Sequence, residues 1–140
     1  MKAKVLFDTN VILDFLLERK PFFCEATIAL DIVAQGKVSG YVAAHAITTI
    51  FYILSRKVGP KKTTEIVAEL LQKLSIAAVT ENIIQQAIRS DFKDFEDAVT
   101  HYAAIEEKAS LIVTRNAKDF SCGQIPVALP EVFIAEVELP

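Results

Sequence analysis

Two polar clusters stand at the ends of apolar runs in this chain, Asp8–Thr9–Asn10 and Thr114–Arg115–Asn116 with Asp119, and a third, Asp94–Phe95–Glu96–Asp97, opens a helix. Carboxylates gathered in one place repel one another and call for a cation. Two or three of them around Mg²⁺ make a site able to cleave a phosphodiester. The remaining residues narrow the choice of ion. His45 and His101 are the only histidines, which excludes a His-rich site. Cys24 and Cys122 are too few and too far apart for zinc ligation of the C-x-x-C kind, and are expected as free thiols, buried or half-buried. Oxygen ligands then point to Mg²⁺ or Mn²⁺.

Such clusters need strands to bring them together. Val5–Leu6–Phe7 reads as a strand buried on both faces, ending at the helix-capping Asp8. A helix is expected over Val11 to Glu18 and a second from Pro21 through Ala34, closed by Gly36. Strands follow at Val38 to Val42, Ile76 to Val79, Leu111 to Val113 and Val127 to Leu129. Between them, helices are expected over Ala44 to Arg56, Lys62 to Leu74, Glu81 to Ser90 and Asp94 to Lys108, with a last one from Pro130. In the Asp94 helix, Phe95, Ala98, Val99, Tyr102 and Ile105 are expected to face inward. This alternation predicts an α/β fold, a three-layer α/β/α sandwich around a parallel sheet of about five strands. No linker or repeat interrupts it, so residues 1–140 read as a single domain. Open parallel sheets bind ligands beyond the carboxyl ends of their strands, near a switch in strand order. If the first and fourth strands are neighbours, the three clusters converge there.

The composition excludes some partners. With 52% hydrophobic residues and a mean hydropathy of +0.35, the 140-residue chain is no disordered segment. Its net charge of −3 and pI near 5.4 exclude nucleic-acid binding through a global basic field. A local patch must serve instead, and Arg56–Lys57–Val58–Gly59–Pro60–Lys61–Lys62 is the one compact basic run. It is either a solvated helix junction or an RNA-backbone contact. The start carries no secretory signal. The uncharged stretch Val38 to Ser55 is broken by Gly40, His45, Thr48 and Thr49, which suits a buried strand and helix better than a membrane span. The expectation is a cytoplasmic protein with no membrane contact.

The segments V-L-F-D-T-N-V-I-L-D, D-F-E-D-A-V-T-H-Y-A-A and I-V-T-R-N-A-K-D-F, with P-V-A-L-P after them, resemble a PIN domain in order and over nearly the whole chain. The resemblance implies a metal-dependent ribonuclease, with an RNA substrate. It frequently implies the toxin of a VapC-type toxin–antitoxin pair, with an antitoxin protein as partner, and it favours a homodimer. Carried over by position, Asp8 matches the family's first metal-binding aspartate, and Asp97 matches the acid on the helix before the fourth strand. The family's last acid or amide falls at Asn116 or Asp119. One departure stands out. Where PIN nucleases commonly carry a glutamate, in a pattern like T-x-x-E-L, this chain has Thr49.

The candidate metal ligands are therefore Asp8, Asp97 and Asp94, the last sharing a helix face with Asp97 and able to stand in for the missing glutamate. Asp94 equally suits a helix cap. Asn116 and Asp119 complete the candidate catalytic set. Thr9, Asn10, Thr114 and Arg115 are assigned to substrate, Thr9 and Asn10 serving also as cap and site-shaping residues. Arg115 is a phosphate contact or a surface ion pair. Asp14 and Glu18 read as a solvated helix face, and His45 and His101 as packed histidines. A PIN fold with a weakened site, acting by docking a partner, is the alternative that Thr49 motivates. A phospho-accepting α/β domain built on Asp8 fares worse, because position 10 is Asn10 and no lysine lies in the 125–130 region.

Overall fold

Apolar runs closed by polar caps form the strands, and the longer amphipathic stretches between them form the helices. A computed structural model describes residues 2–138. In chain order it contains β1 (Lys4–Phe7), α1 (Thr9–Leu16), α2 (Phe23–Ala34), β2 (Ser39–Ala43), α3 (Ala44–Val58), α4 (Pro60–Leu70) and β3 (Ser75–Ala77). There follow α5 (Glu81–Ile88), α6 (Phe95–Glu107), β4 (Leu111–Val113), a 3-10 turn (Ala117–Phe120), β5 (Val127–Ala128) and α7 (Pro130–Glu138). All strand pairs are parallel, in the order β3-β2-β1-β4-β5. The order reverses between β1 and β4, where Leu6 pairs Ile112 and Phe7 pairs Val113. The first and fourth strands are neighbours, and the switch lies between them.

Alternation along the central strands divides the core. Val5, Phe7, Val42 and Val113 pack with α1, α2, α3, α4 and α7, while Leu6, Ala43 and Ile112 pack with α5 and α6. The result is the three-layer α/β/α sandwich, each layer burying apolar side chains worth about 1.5–3 kcal/mol apiece. Gly40 lets α2 approach β2. A Cβ there would lie 2.7 Å from Leu74 and 2.8 Å from Val33.

Several expectations shift. The first helix starts at Thr9, capped by Asp8, and ends before Glu18, whose φ of 52° no helix accepts. The second starts at Phe23 rather than Pro21. The fourth starts at Pro60, a residue suited to the first helical position because it has no N–H to satisfy. Phe95 does not face inward: it is 51% exposed, since the buried face of α6 begins only at Ala98. Cys24 and Cys122 are free thiols, but both are exposed. Among the described residues no helix is long and apolar enough to cross a membrane.

Candidate active site at the strand switch

The site is built at the carboxyl ends of β1 and β4. The Asp8 N–H donates to Val113 O at 2.9 Å, so the backbone holds Asp8 beside Thr114. Asp8 Oδ2 accepts from the buried Thr114 hydroxyl at 2.8 Å, and Oδ1 accepts from the Thr9 N–H at 2.9 Å. Asp8 thus caps α1 and also points at the switch. Burial pushes its pKa up. The two hydrogen bonds oppose that, and the negative charges of Glu96 and Asp119 reinforce it.

Asp97, half-buried in the first turn of α6, faces the same point. Its carboxyl is pushed up to about 7, first by burial, then by the charges of Asp8, Asp94, Asp119 and Glu96. Asp94 is exposed and caps α6, its Oδ1 accepting from the Asp97 N–H at 3.0 Å. Asp119 lies exposed on the 3-10 turn and acts on both Asp8 and Asp97. Asn116 is exposed too. Its N–H donates to Thr114 Oγ1 at 3.1 Å, and its side chain makes no cap bond. Asn10 is half-buried on the first turn of α1.

Glu96, part of the D-F-E-D cluster but not of the candidate ligand set, belongs to this group. The Thr9 hydroxyl donates to its Oε1 at 3.4 Å, and the Thr100 hydroxyl donates to its carbonyl at 3.0 Å. Thr100 also meets His45 Nε2 at 3.2 Å. With the Thr100 proton committed to the carbonyl, His45 donates through Nε2, and its buried Nδ1 has no partner among the described residues. Burial lowers the His45 pKa. Thr49 follows one turn along α3, half-buried. The D-F-E-D run marks Glu96 only as an acid at a helix start. What the sequence hides is that Thr9 and α6 meet.

Arg115 takes the ion-pair option, half-exposed. Its Nε and Nη2 donate to Asp14 Oδ2 and Oδ1 at 2.7 and 3.2 Å, and its guanidinium lies 4.1 Å from the Phe22 ring centroid. Asp14 is 1% exposed, not solvated, with Arg19 a further 3.7 Å from Oδ1. The basic run lies at the far end of α3, whose 15 residues span about 22 Å of helix from the carboxyl end of β2.

The donor set suits a hard divalent cation. Asp8, Asp94, Glu96, Asp97 and Asp119 offer only oxygen, and none has an ion-pair partner among the described residues. Asp97 is raised first by burial and then by four neighbouring acids, with no cation beside it among the described residues. Among the described residues no three acidic, His or Cys side chains already stand close enough to close on one ion, so binding would have to draw them in.

Known proteins share this architecture. The PIN domain family profile matches residues 4–118, a span that includes Asp8, Asp97 and Asn116 and stops just before Asp119. Ribonuclease VapC1 of Aquifex aeolicus is 31% identical over 135 residues, covering 93% of this chain and 92% of that one. VapBC-1 from nontypeable Haemophilus influenzae superposes with a TM-score of 0.69 at 13% identity, over 92% of this chain and 99% of its own. A toxin–antitoxin complex from Klebsiella pneumoniae gives 0.67 at 24% identity, over 90% and 97%. At these identities the solved structures speak for the fold alone. The family rests on the matched profile and the curated relative together, and by both the chain belongs to the PIN domain family.

Proposed function

We propose that this protein is a divalent-metal-dependent endoribonuclease acting as the toxin of a toxin–antitoxin pair. The observation that carries the reading is the set of uncompensated carboxylates at the strand switch, Asp8 and Asp97 foremost. The curated relative bears the name of a ribonuclease, which favours this over a binding module with a dead site. Asp8 and Asp97 would hold Mg²⁺ or Mn²⁺, with Asp94 and Asp119 beside them. When bound, the ion would neutralise charge at the scissile phosphate and lower the pKa of water. The protein's part is positional. The Thr114 hydroxyl and the Thr9 N–H fix the Asp8 carboxylate, and Asp97 in the first turn of α6 would join it, near enough to feel its charge. Thr9, Asn10, Thr114 and Asn116 offer polar groups along the same edge for the RNA backbone. Arg115 supports that edge through Asp14.

The partner proposed is an antitoxin segment. An apolar groove of about 460 Å³ lies between α1, α2 and α4, lined by Phe15, Leu16, Phe23, Leu30, Ile66 and Leu70. Glu18, Asp31 and Glu69 on its rim outnumber Lys73, so an amphipathic segment with basic flanks is the occupant it complements. A homodimer and a cytoplasmic setting belong to the same reading.

The test is cleavage of a mixed-sequence labelled RNA with Mn²⁺ or Mg²⁺, beside EDTA and Asp97→Asn. Metal-dependent cutting lost in both controls supports the nuclease. Cutting that survives either one removes the metal-site reading.

A further inference from the structure

His101 lies one turn along α6 from Asp97 and is 1% exposed. Its ring packs against Phe92 and Tyr102, with centroids 5.0 and 4.7 Å away. Nε2 accepts the backbone N–H of Gln124 at 2.9 Å. A ring nitrogen that accepts carries no proton, so the proton sits on Nδ1, which is buried with no partner among the described residues. Burial also holds the ring below its usual pKa, in the neutral form. An unpaired buried N–H costs stability, so packing alone would favour an apolar side chain at this position.

What the imidazole holds explains its presence. Residues 114–126 join β4 to β5, and the stretch 116–125 within them carries Asp119. Their backbone hydrogen bonds are internal: Asp119 N–H to Asn116 O, Ser121 N–H to Lys118 O, and Gly123 N–H to Phe120 O. The Asn116 N–H reaches only the neighbouring Thr114. Thr114 and Arg115 bond Asp8 and Asp14 where the connection begins, and Phe120 packs on Phe92; over residues 116–125, among the described residues, the Gln124–His101 bond is the one hydrogen bond to another element. Gly123 makes the approach possible, since a Cβ there would lie 2.7 Å from both Cδ2 and Nε2 of His101.

We infer that His101 is a positioning residue: as a neutral acceptor on α6, it ties the arm bearing Asp119 to the helix bearing Asp97 and keeps the two carboxylates in register. Its effect on cleavage rests on the nuclease reading above, whereas the tie itself does not.

The test compares His101→Leu, His101→Gln and Gly123→Ala with the parent protein. Amide exchange at Gln124, followed by NMR without metal or RNA, reads the tie. RNA cleavage in Mn²⁺ reads its consequence. The His101→Leu change removes the acceptor, and the methyl group added by Gly123→Ala pushes the ring away. In both, Gln124 exchange should quicken about tenfold, as expected for one lost hydrogen bond. The kcat for cleavage should fall about tenfold with KM nearly unchanged, because the carboxylates are misplaced rather than removed. The His101→Gln variant should keep both near the parent level, since a glutamine Oε1 can accept where Nε2 does. Unchanged Gln124 protection in His101→Leu and Gly123→Ala overturns the tie. A glutamine variant behaving like the leucine one, or a loss confined to KM, overturns the positioning role. If the parent cuts no RNA, the nuclease reading fails while amide exchange still decides the tie.

Discussion

Asp8 caps α1 and Asp14 sits near the far end of the same helix, both withdrawn from water at 5% and 1% exposure. Asp14 is met by two cations, bidentately by Arg115 and more distantly by Arg19. Asp8 is met by hydroxyl and backbone donors, and by the negative charges of Glu96 and Asp119. A buried charge paired with arginine is a structural brace, fastening the end of β4 to α1. A buried charge facing other acids is unfinished electrostatically and finds its complement outside the chain. The two regions share one helix, and their difference separates scaffold from candidate chemistry.

The sharpest way to break the comparison is to neutralise one acid on each side. Asp97→Asn should lower RNA cleavage roughly 10²-fold or more, because it removes a proposed metal ligand. The same change should not destabilise the fold at pH 8. The folded-state pKa of Asp97, about 7, lies above the ordinary value of 3.8, so its contribution is fully present below about 3.8 and is lost as pH rises through 7. Chemical denaturation from pH 4 to 8 should show Asp97→Asn gaining on the parent protein across that window. A variant losing ground as pH rises would mean that Asp97 has a cationic partner after all.

Asp14→Ala should do the opposite. It strands Arg115 against a buried surface and should cost about 3–5 kcal/mol, measured by urea unfolding. Mn²⁺ at about 100 times its Kd should stabilise the parent protein by about 2.7 kcal/mol at pH 8, by thermal shift, and should do little at pH 5, where protons compete for Asp97. An equal gain in Asp97→Asn would place the ion elsewhere. The smallest change, Arg115→Lys, keeps the charge but loses the bidentate fork, and about 1 kcal/mol of stability should go with it.

What the sequence could reveal differs between these regions for a physical reason. β4 at Leu111–Val113 was legible to the residue, because a short apolar run closed by Thr114 has only one place to sit. That Asp8 and Thr114 stand side by side depended only on β1 lying next to β4, whereas the approach of α6 with Asp97 needed a contact across the fold. Asp14 was misread because its spacing from Glu18 matches an exposed helix face, while its partner Arg115 lies 101 residues away. His101 reads correctly as a packed histidine and Glu96 as one acid of a cluster, but the contacts that give them further roles are not local. Their roles depend on Thr9 and Gln124, contacts made across the fold that no local pattern announces. The exposed thiols follow from where Cys24 and Cys122 fall on α2 and on the turn after Phe120, which composition does not register.

The sheet ends on one side in β3, Ser75–Ala77, and on the other in β5, Val127–Ala128. An outermost strand with a long row of free N–H and C=O groups is a template on which a second molecule can add its own strand, and from there amyloid-like stacking can spread. Two or three residues provide too few such groups to hold a newcomer in register. A chain this rich in apolar residues would otherwise be prone to that fate, so the brevity of its border strands acts as a safeguard against self-association through the sheet.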